Sequence, residues 1–255
     1  MSFRTVLLLI HRLMVTIYKK AYQLKNHKKP KILIYTDSRG FEITKAINRK
    51  APFQSYINTL IKNYNCEFYI CPEKHTTFYD FFNVLNDKNL DNYSKIICHI
   101  GVVDFSPRGS KTVPEILNLK ENKILSQFGN NFLKNLRAEA NYEITYYGDQ
   151  TKSLLGKNQL KELAAKLNLI PNLIWISCNP VLLDWNGNYF RQRPRNINIV
   201  NEYSKDLLAL LDKNIDVINL TNLSKSEIKE LTCDNIHFSP KGMEYISKKI
   251  EALLK

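Results

Sequence analysis

A chain of 255 residues that is 44% apolar and 24% charged has the composition of an ordinary globular protein, long enough for one α/β domain with a sizeable core and a few appended segments. Its net charge of +13 is concentrated at the N-terminus: Arg4, Arg12, Lys19, Lys20, Lys25, Lys28, Lys29 and Lys31 stand in a stretch that contains no acid. Five cysteines (Cys66, Cys71, Cys98, Cys178, Cys233) form no Cys-x-x-Cys pair, which argues for buried free thiols in a reducing compartment and against a disulfide framework or a zinc site.

Residues 1–30 read as a basic amphipathic extension. Val6 to Ile10, then Leu13, Met14, Val15, Ile17 and Tyr18, supply an apolar face. His11 and Arg12 cut that run well short of a bilayer span, and no small-residue cleavage site follows, against a secretory signal. Two readings stand. Residues 1–29 lie on an anionic membrane surface, or the helix packs on the domain or on another subunit with its lysines in solvent. The expected location is cytoplasmic, peripheral on the inner face of the membrane under the first reading. The segment lacks interleaved stacking aromatics, so no nucleic-acid partner is expected.

Residues 31–255 alternate between strand and helix signals. Short apolar runs predict strands at 31–35, 66–71 (stopped by Pro72), 96–103, 173–177 and 216–220. Helical spacing follows Ser38 through Ile43, Ala46 and Ile47, and recurs at 57–61, 78–85, 113–140, 160–169 and 197–211. Ser239 suits the N-cap of a final helix and Pro240 its first position. Residues 141–158 are mixed, a short insertion or a lid. This alternation predicts a three-layer α/β/α fold around a parallel, roughly five-stranded sheet.

In such a sheet, sites form beyond the carboxyl ends of the strands. Ser38 falls there, after Ile32 to Asp37, where its own N–H would face a developing oxyanion at the start of a helix. Near the other end of the chain, Asp234 precedes His237 by three residues, just ahead of the final helix. The three supply a nucleophile, a base and a carboxylate to orient the base, the minimum set for serine acyl transfer. Taken alone, Ser38 reads as a helix cap; with Asp234 and His237 present it reads as the nucleophile. Arg191, Arg193 and Arg195 cluster after the fourth strand, and their forks match carboxylate or phosphate. No phosphate-cradling glycine loop or metal-ligand cluster stands out, so no metal is expected.

An Asp-Ser pair closing the first strand, with Asp-x-x-His near the C-terminus, resembles the SGNH (GDSL-like) hydrolase family, whose fold is flavodoxin-like. The family's Gly-Asp-Ser is here Thr36-Asp37-Ser38; its Gly-x-Asn-Asp is Gly101-Val102-Val103-Asp104, so Val103 stands where the oxyanion asparagine would be. The second-block glycine is absent, with Lys74-His75-Thr76-Thr77 the nearest stretch. Gly-x-Val-Asp followed by Phe105-Ser106-Pro107-Arg108 resembles a divergent branch found among bacterial polysaccharide-biosynthesis proteins. The resemblance implies an esterase or O-acyltransferase that acts on acetyl-type esters of a sugar or surface polysaccharide. Ser38, His237 and Asp234 would be catalytic, and Gly101, Asp104, Thr76, Arg108, Arg191 and Arg193 oxyanion or substrate residues. No cofactor is expected for a hydrolase; a transferase would draw on acetyl-CoA or another acyl donor. The missing blocks keep open a weakly active glycan-binding or scaffolding protein of a membrane-associated assembly.

Overall fold

The structure is a computed structural model describing residues 3–254, with side chains from residue 6 onward; Met1, Ser2 and the Arg4 side chain of the basic segment lie outside the described residues. In chain order the elements are α1 (Phe3–Lys25), β1 (Lys31–Thr36), α2 (Tyr56–Asn63), β2 (Asn65–Ile70), α3 (Phe78–Asn86), β3 (Lys95–His99) and α4 (Val102–Phe105). There follow β4 (Arg108–Gly109), α5 (Thr112–Ala138), β5 (Tyr142–Tyr146), β6 (Asp149–Lys152), α6 (Leu160–Asn168) and β7 (Leu173–Ile176). The chain ends with α7 (Ile199–Leu210), β8 (Asp216–Ile218), α8 (Lys225–Leu231) and α9 (Pro240–Leu253).

Five strands form one sheet in the order β2-β1-β3-β7-β8, each pairing parallel to its neighbours. Successive strand side chains point to opposite faces, and this divides the core in two. Leu33, Tyr35, Ile96, Cys98, Leu173 and Trp175 meet α3, α5, α6 and α7 on one face. Ile32, Ile34, Ile97, Ile174, Ile176 and Ile218 meet α2 and α9 on the other. The near-continuous apolar runs that marked these strands in the sequence are the signature of a sheet buried on both faces.

Two sequence expectations need correction. The third strand does not run on to Val103. It stops at His99, because Gly101 turns the chain with φ 130° and Val102 to Phe105 form a single helical turn. Nor does a full helix follow Ser38: residues 38–40 and 46–48 form isolated 3-10 turns. The buried Glu42 carboxylate accepts from the Thr44 and Lys45 N–H groups and from Asn48 Nδ2. Such local side-chain bonds compete with a helical ladder, and regular helix resumes only at α2, capped by Ser55.

The mixed segment 141–158 builds a small antiparallel sheet, β4-β6-β5. It is tied to α4 by Ser153 Oγ donating to the Phe105 carbonyl (2.9 Å) and by the Leu155 N–H donating to the Asp104 carbonyl (3.1 Å). α1 is divided along its length. Its second half docks on the domain: Tyr18 bonds Asn58, Gln23 Nε2 donates to the Cys66 carbonyl, and Asn26 Nδ2 donates to the Ile61 carbonyl at 2.7 Å. Its first half leaves Val6 to Ile10, Leu13 and Met14 exposed.

α3 is joined to α5 by charge inside the core. Asp80 and Lys120 are each about 1% exposed, with Lys120 Nζ 2.9 Å from Asp80 Oδ1 and Lys123 Nζ at 2.7 Å. Asp80 also completes the α3 capping box with Thr77. Losing one member of a buried pair strands the other charge. D80A should therefore lower unfolding stability by about 3–5 kcal/mol, read as a reduced urea midpoint at unchanged slope, with D80N milder because it keeps polar contacts to Thr77.

Candidate active site

Ser38 sits on a turn clamped from both sides. The Asp37 N–H donates to the His99 carbonyl (3.0 Å), which seats the turn on the end of β3. Asp37 Oδ1 accepts from the Arg39 N–H at 2.9 Å, and the Arg39 guanidinium folds back on the same carboxylate with Nη2 3.0 Å from Oδ2. Arg39 Nη1 then donates to the Ser177 carbonyl beyond β7 (3.1 Å). Both side chains are buried. Burial alone would lower the Arg39 pKa, but the Asp37 charge and hydrogen bond outweigh it and raise it, so the guanidinium stays charged. Gly40 allows the turn to close: a Cβ there would lie 2.0 Å from Thr36 Oγ1. Between these buried neighbours Ser38 is left partly exposed. Its N–H has no acceptor in the protein among the described residues, and so remains available to an oxyanion.

The loop between α8 and α9 brings the base to this serine. Asp234 Oδ1 accepts from the Ile236 and His237 N–H groups (3.1 and 2.8 Å), closing a tight turn. His237 Nδ1 lies 2.8 Å from Asp234 Oδ2, and His237 Nε2 lies 2.9 Å from Ser38 Oγ. With Nδ1 donating to the carboxylate, Nε2 is free to accept the serine proton; this tautomer is assigned from the hydrogen-bond partners. Burial pushes the Asp234 carboxyl up, but the His237 hydrogen bonds and charge outweigh it and hold the carboxyl below its ordinary range. It stays ionised at neutral pH.

The other sequence candidates are placed around this chain of bonds. Thr76 is buried, its hydroxyl spent on the Glu73 carbonyl (3.1 Å). Gly101 forms the hinge from β3 into α4, and Val103 lies on α4, where it offers no side-chain donor. Asp104 is buried and braces α3, its Oδ1 accepting from the Phe78 N–H at 3.2 Å. Burial, opposed only in part by that bond, raises its pKa far above the carboxylate range. Arg108 is partly buried on β4 and touches no catalytic residue by hydrogen bond. Arg193 reaches the site directly, with Nη2 donating to the Asp234 carbonyl at 2.6 Å and standing 3.7 Å from Asp234 Oδ2. Arg191 is exposed against the Phe190 ring, and Arg195 is exposed. Among the described residues, no group of three or more His, Cys, Asp and Glu side chains is arranged to hold a metal ion.

Three positioning residues escaped the sequence reading. Arg39 was signalled only by its place two residues after Asp37. Asn235 holds the histidine loop from the left-handed region (φ 73°), which asparagine tolerates better than most residues. Its side chain bonds the Leu182 N–H (2.9 Å), the Leu182 carbonyl (3.0 Å) and the Trp185 carbonyl. His99 lies beneath the Ser38 turn, bonded to Tyr56 through Nδ1 (2.8 Å) and stacked on Phe238. It looked like one more residue of an apolar strand.

His99 gives the site a pH signature. Burial, helped by the Arg39 charge, pushes its pKa well below the usual histidine value. The fold keeps it neutral while the unfolded chain takes up a proton near pH 6.5, so its contribution is complete above that pH and is lost as pH falls below it. Asp104, whose pKa burial raises, works in the opposite direction. The test is thus the difference between variants: on moving from pH 7.5 to 5.5, H99Q should gain about 1 kcal/mol relative to the parent protein, read from urea unfolding at both pH values.

No protein-family model matches the chain, and no curated protein matches it. Among solved structures, a lipase/acylhydrolase from Enterococcus faecalis aligns at 16% identity and a TM-score of 0.48, over 87% of this chain and 93% of its own. A proposed platelet activating factor from Streptococcus pneumonia aligns at 16% identity and a TM-score of 0.42, over 100% of each chain. The fold is carried by the chain's own geometry. A parallel sheet in the order β2-β1-β3-β7-β8, with the serine turn after β1 and Asp-x-x-His before the last helix, is the three-layer α/β/α arrangement that the resemblance to SGNH-type hydrolases implies.

Proposed function

We propose that the protein is a serine esterase or O-acyltransferase that acts on acetyl-type esters of a sugar or surface polysaccharide. One observation carries the proposal: the continuous hydrogen-bonded line from Ser38 Oγ through His237 to Asp234, with steps of 2.9 and 2.8 Å, at the carboxyl end of a parallel sheet. In this reading Ser38 Oγ attacks the ester carbonyl while His237 Nε2 takes its proton. The tetrahedral oxyanion is met by the Ser38 N–H. As the intermediate collapses, the C–O bond to the sugar breaks and His237 returns the proton to the departing alcohol, leaving acyl-Ser38. A water, or the hydroxyl of a second sugar, then attacks the acyl carbon with His237 again as base, and the bond to Ser38 Oγ breaks as His237 returns the proton to the serine. Water gives a hydrolase, a sugar hydroxyl a transferase; a transferase would load Ser38 from acetyl-CoA or another acyl donor. Asp234 holds the imidazole in its productive tautomer throughout. The sugar and the acetyl-type group rest on the family resemblance rather than on a contact in the site.

A second reading is favoured by Val103. An oxyanion side-chain donor contributes about 2.7–4 kcal/mol of transition-state stabilisation, and valine supplies none. On that reading the domain is a weakly active glycan-binding or scaffolding member of a membrane-associated assembly. A fluorophosphonate probe separates the two. The esterase reading expects labelling of Ser38 and hydrolysis of a short aryl ester, with both abolished in S38A. H237A and D234N should each fall by about 10⁴-fold or more in kcat. Absence of labelling in the folded protein would sink the esterase reading.

We also propose that α1 holds the protein to an anionic membrane surface. No helix among the described residues is long and apolar enough to cross a membrane. The first half of α1 nevertheless exposes Leu7 to Ile10 at about half their surface and Leu13 at 60%, in a segment whose charges are all basic. Apolar insertion and attraction to anionic lipid add in such a helix. The double variant L8E/L13E should keep the fold and lose flotation with phosphatidylserine-containing vesicles, while the parent protein floats. Equal flotation of both would remove the proposal, and a concentration-dependent dimer that the variant abolishes would reassign the face to a second copy of the chain.

A further inference from the structure

We propose that the mouth of the site is built to take an anionic group on the substrate, a carboxylate or a phosphate, held by Arg108 and Arg193. The proposal rests on the ester-chemistry reading and names the class of sugar that chemistry would serve. Each of these guanidinium groups buries its Nε atom without a hydrogen-bond partner among the described residues. Neither is neutralised in the way that Arg39 and Lys120 are. Arg39 has Asp37 and Lys120 has Asp80, whereas Arg108 makes no ion pair among the described residues. Arg193 approaches the Asp234 carboxylate only at 3.7 Å and spends Nη2 on the Asp234 carbonyl.

The surroundings compensate both charges only in part. Burial lowers the pKa of both arginines, and the nearby Asp104, for Arg108, and Asp234, for Arg193, offset it incompletely. The two belong to one location. Arg193 stacks on the Tyr189 ring at 4.1 Å, and Asn196, three residues on, donates Nδ2 to Oγ1 of Thr151 (3.0 Å), the β6 residue paired with Gly109 beside Arg108. Arg108 lies three residues past α4, whose Asp104 accepts from the Phe78 N–H, and Arg193 reaches directly to the Asp234–His237 turn. A buried polar atom without a partner is costly, and a planar guanidinium matches the two oxygens of a carboxylate or phosphate. An anion bound there would satisfy donors the protein leaves open and would place the attached sugar beside Ser38.

The test uses the full chain carrying S38A, which binds esters without turning them over. It is titrated calorimetrically at low salt with mono-O-acetyl glucose, mono-O-acetyl glucuronate and mono-O-acetyl glucose phosphate. At least one anionic sugar should bind ten-fold or more tightly than the neutral one, and which of the two does so identifies the anion as carboxylate or phosphate. Adding R108Q should reduce that ratio at least five-fold, R108K should retain part of it, and high salt should compress it. Equal binding of all three sugars, or binding of none, overturns the proposal, as does a ratio unchanged in R108Q. Should R108Q fail to fold, the ratio in R108K and its salt dependence decide. Fluorophosphonate labelling of the parent protein reports separately on the ester chemistry: labelling without anion preference removes this subsite alone, and anion preference without labelling removes the catalytic reading alone.

Discussion

The buried pair Asp37–Arg39 is the constraint on which the site depends. Two charges taken out of water cost more than one bidentate contact returns unless the remaining donors are satisfied. Here they are satisfied by the surrounding backbone: Asp37 also caps its own turn, and Arg39 reaches across to the Ser177 carbonyl. The result joins the carboxyl ends of β1 and β7 through one guanidinium, while the Asp37 N–H fixes the same turn to β3. Ser38 is caught between two buried, hydrogen-bonded residues. On the proposed reading, a nucleophile held in that way would need little reorganisation before attack, which is where much catalytic advantage arises.

The histidine loop is fixed by a different device. Asp234 folds the loop through the N–H groups of Ile236 and His237 and uses its second oxygen on the imidazole, so a single carboxylate sets both backbone and ring. Asn235 then attaches the loop to the segment at Leu182 and Trp185. That segment leads directly to Tyr189 and the arginines. Substrate-facing groups and the general base therefore share one mechanical support, and an anion bound at Arg193 would bear on the atom that orients His237. The contrast is with the floor of the site, where every element is a strand end buried in the core.

Much of this was legible in the sequence because a few local rules were strict. Buried parallel strands read as apolar runs, and β1, β2, β7 and β8 came out within a few residues; Ser239 and Pro240 marked the start of α9. The spacing of Asp234 and His237 placed the two on one turn. What was not legible had physical causes. The apolar run 96–103 continues across Gly101, and hydropathy cannot see a positive φ, so a helical turn was read as strand. Glu42 suppressed a helix through side-chain bonds to its own neighbours, against a spacing of Ile43, Ala46 and Ile47 that looked helical. Arg39 and Asn235 could not be singled out, because their roles come from partners 138 and 53 residues away in the chain.

Val103 gives the site its remaining asymmetry. With the Ser38 N–H open and no side-chain donor from Val103, stabilisation of an oxyanion at Ser38 would come from the field as well as from contact. The field is favourable. Arg39 is neutralised by Asp37 and Arg193 in part by Asp234, so Arg108 is the cation left to supply most of that field. Charges in a desolvated site act over longer distances than in water, so positive groups that touch no oxyanion still lower the free energy of negative charge developing at Ser38. The same field lowers the free energy of an anionic substrate before it reacts. On the proposed reading, an active site that depends on a fixed cation rather than on a dedicated amide donor would couple the rate of the chemical step to the charge of what it binds. That coupling would favour acidic sugars over neutral ones even where the neutral ester fits the same space.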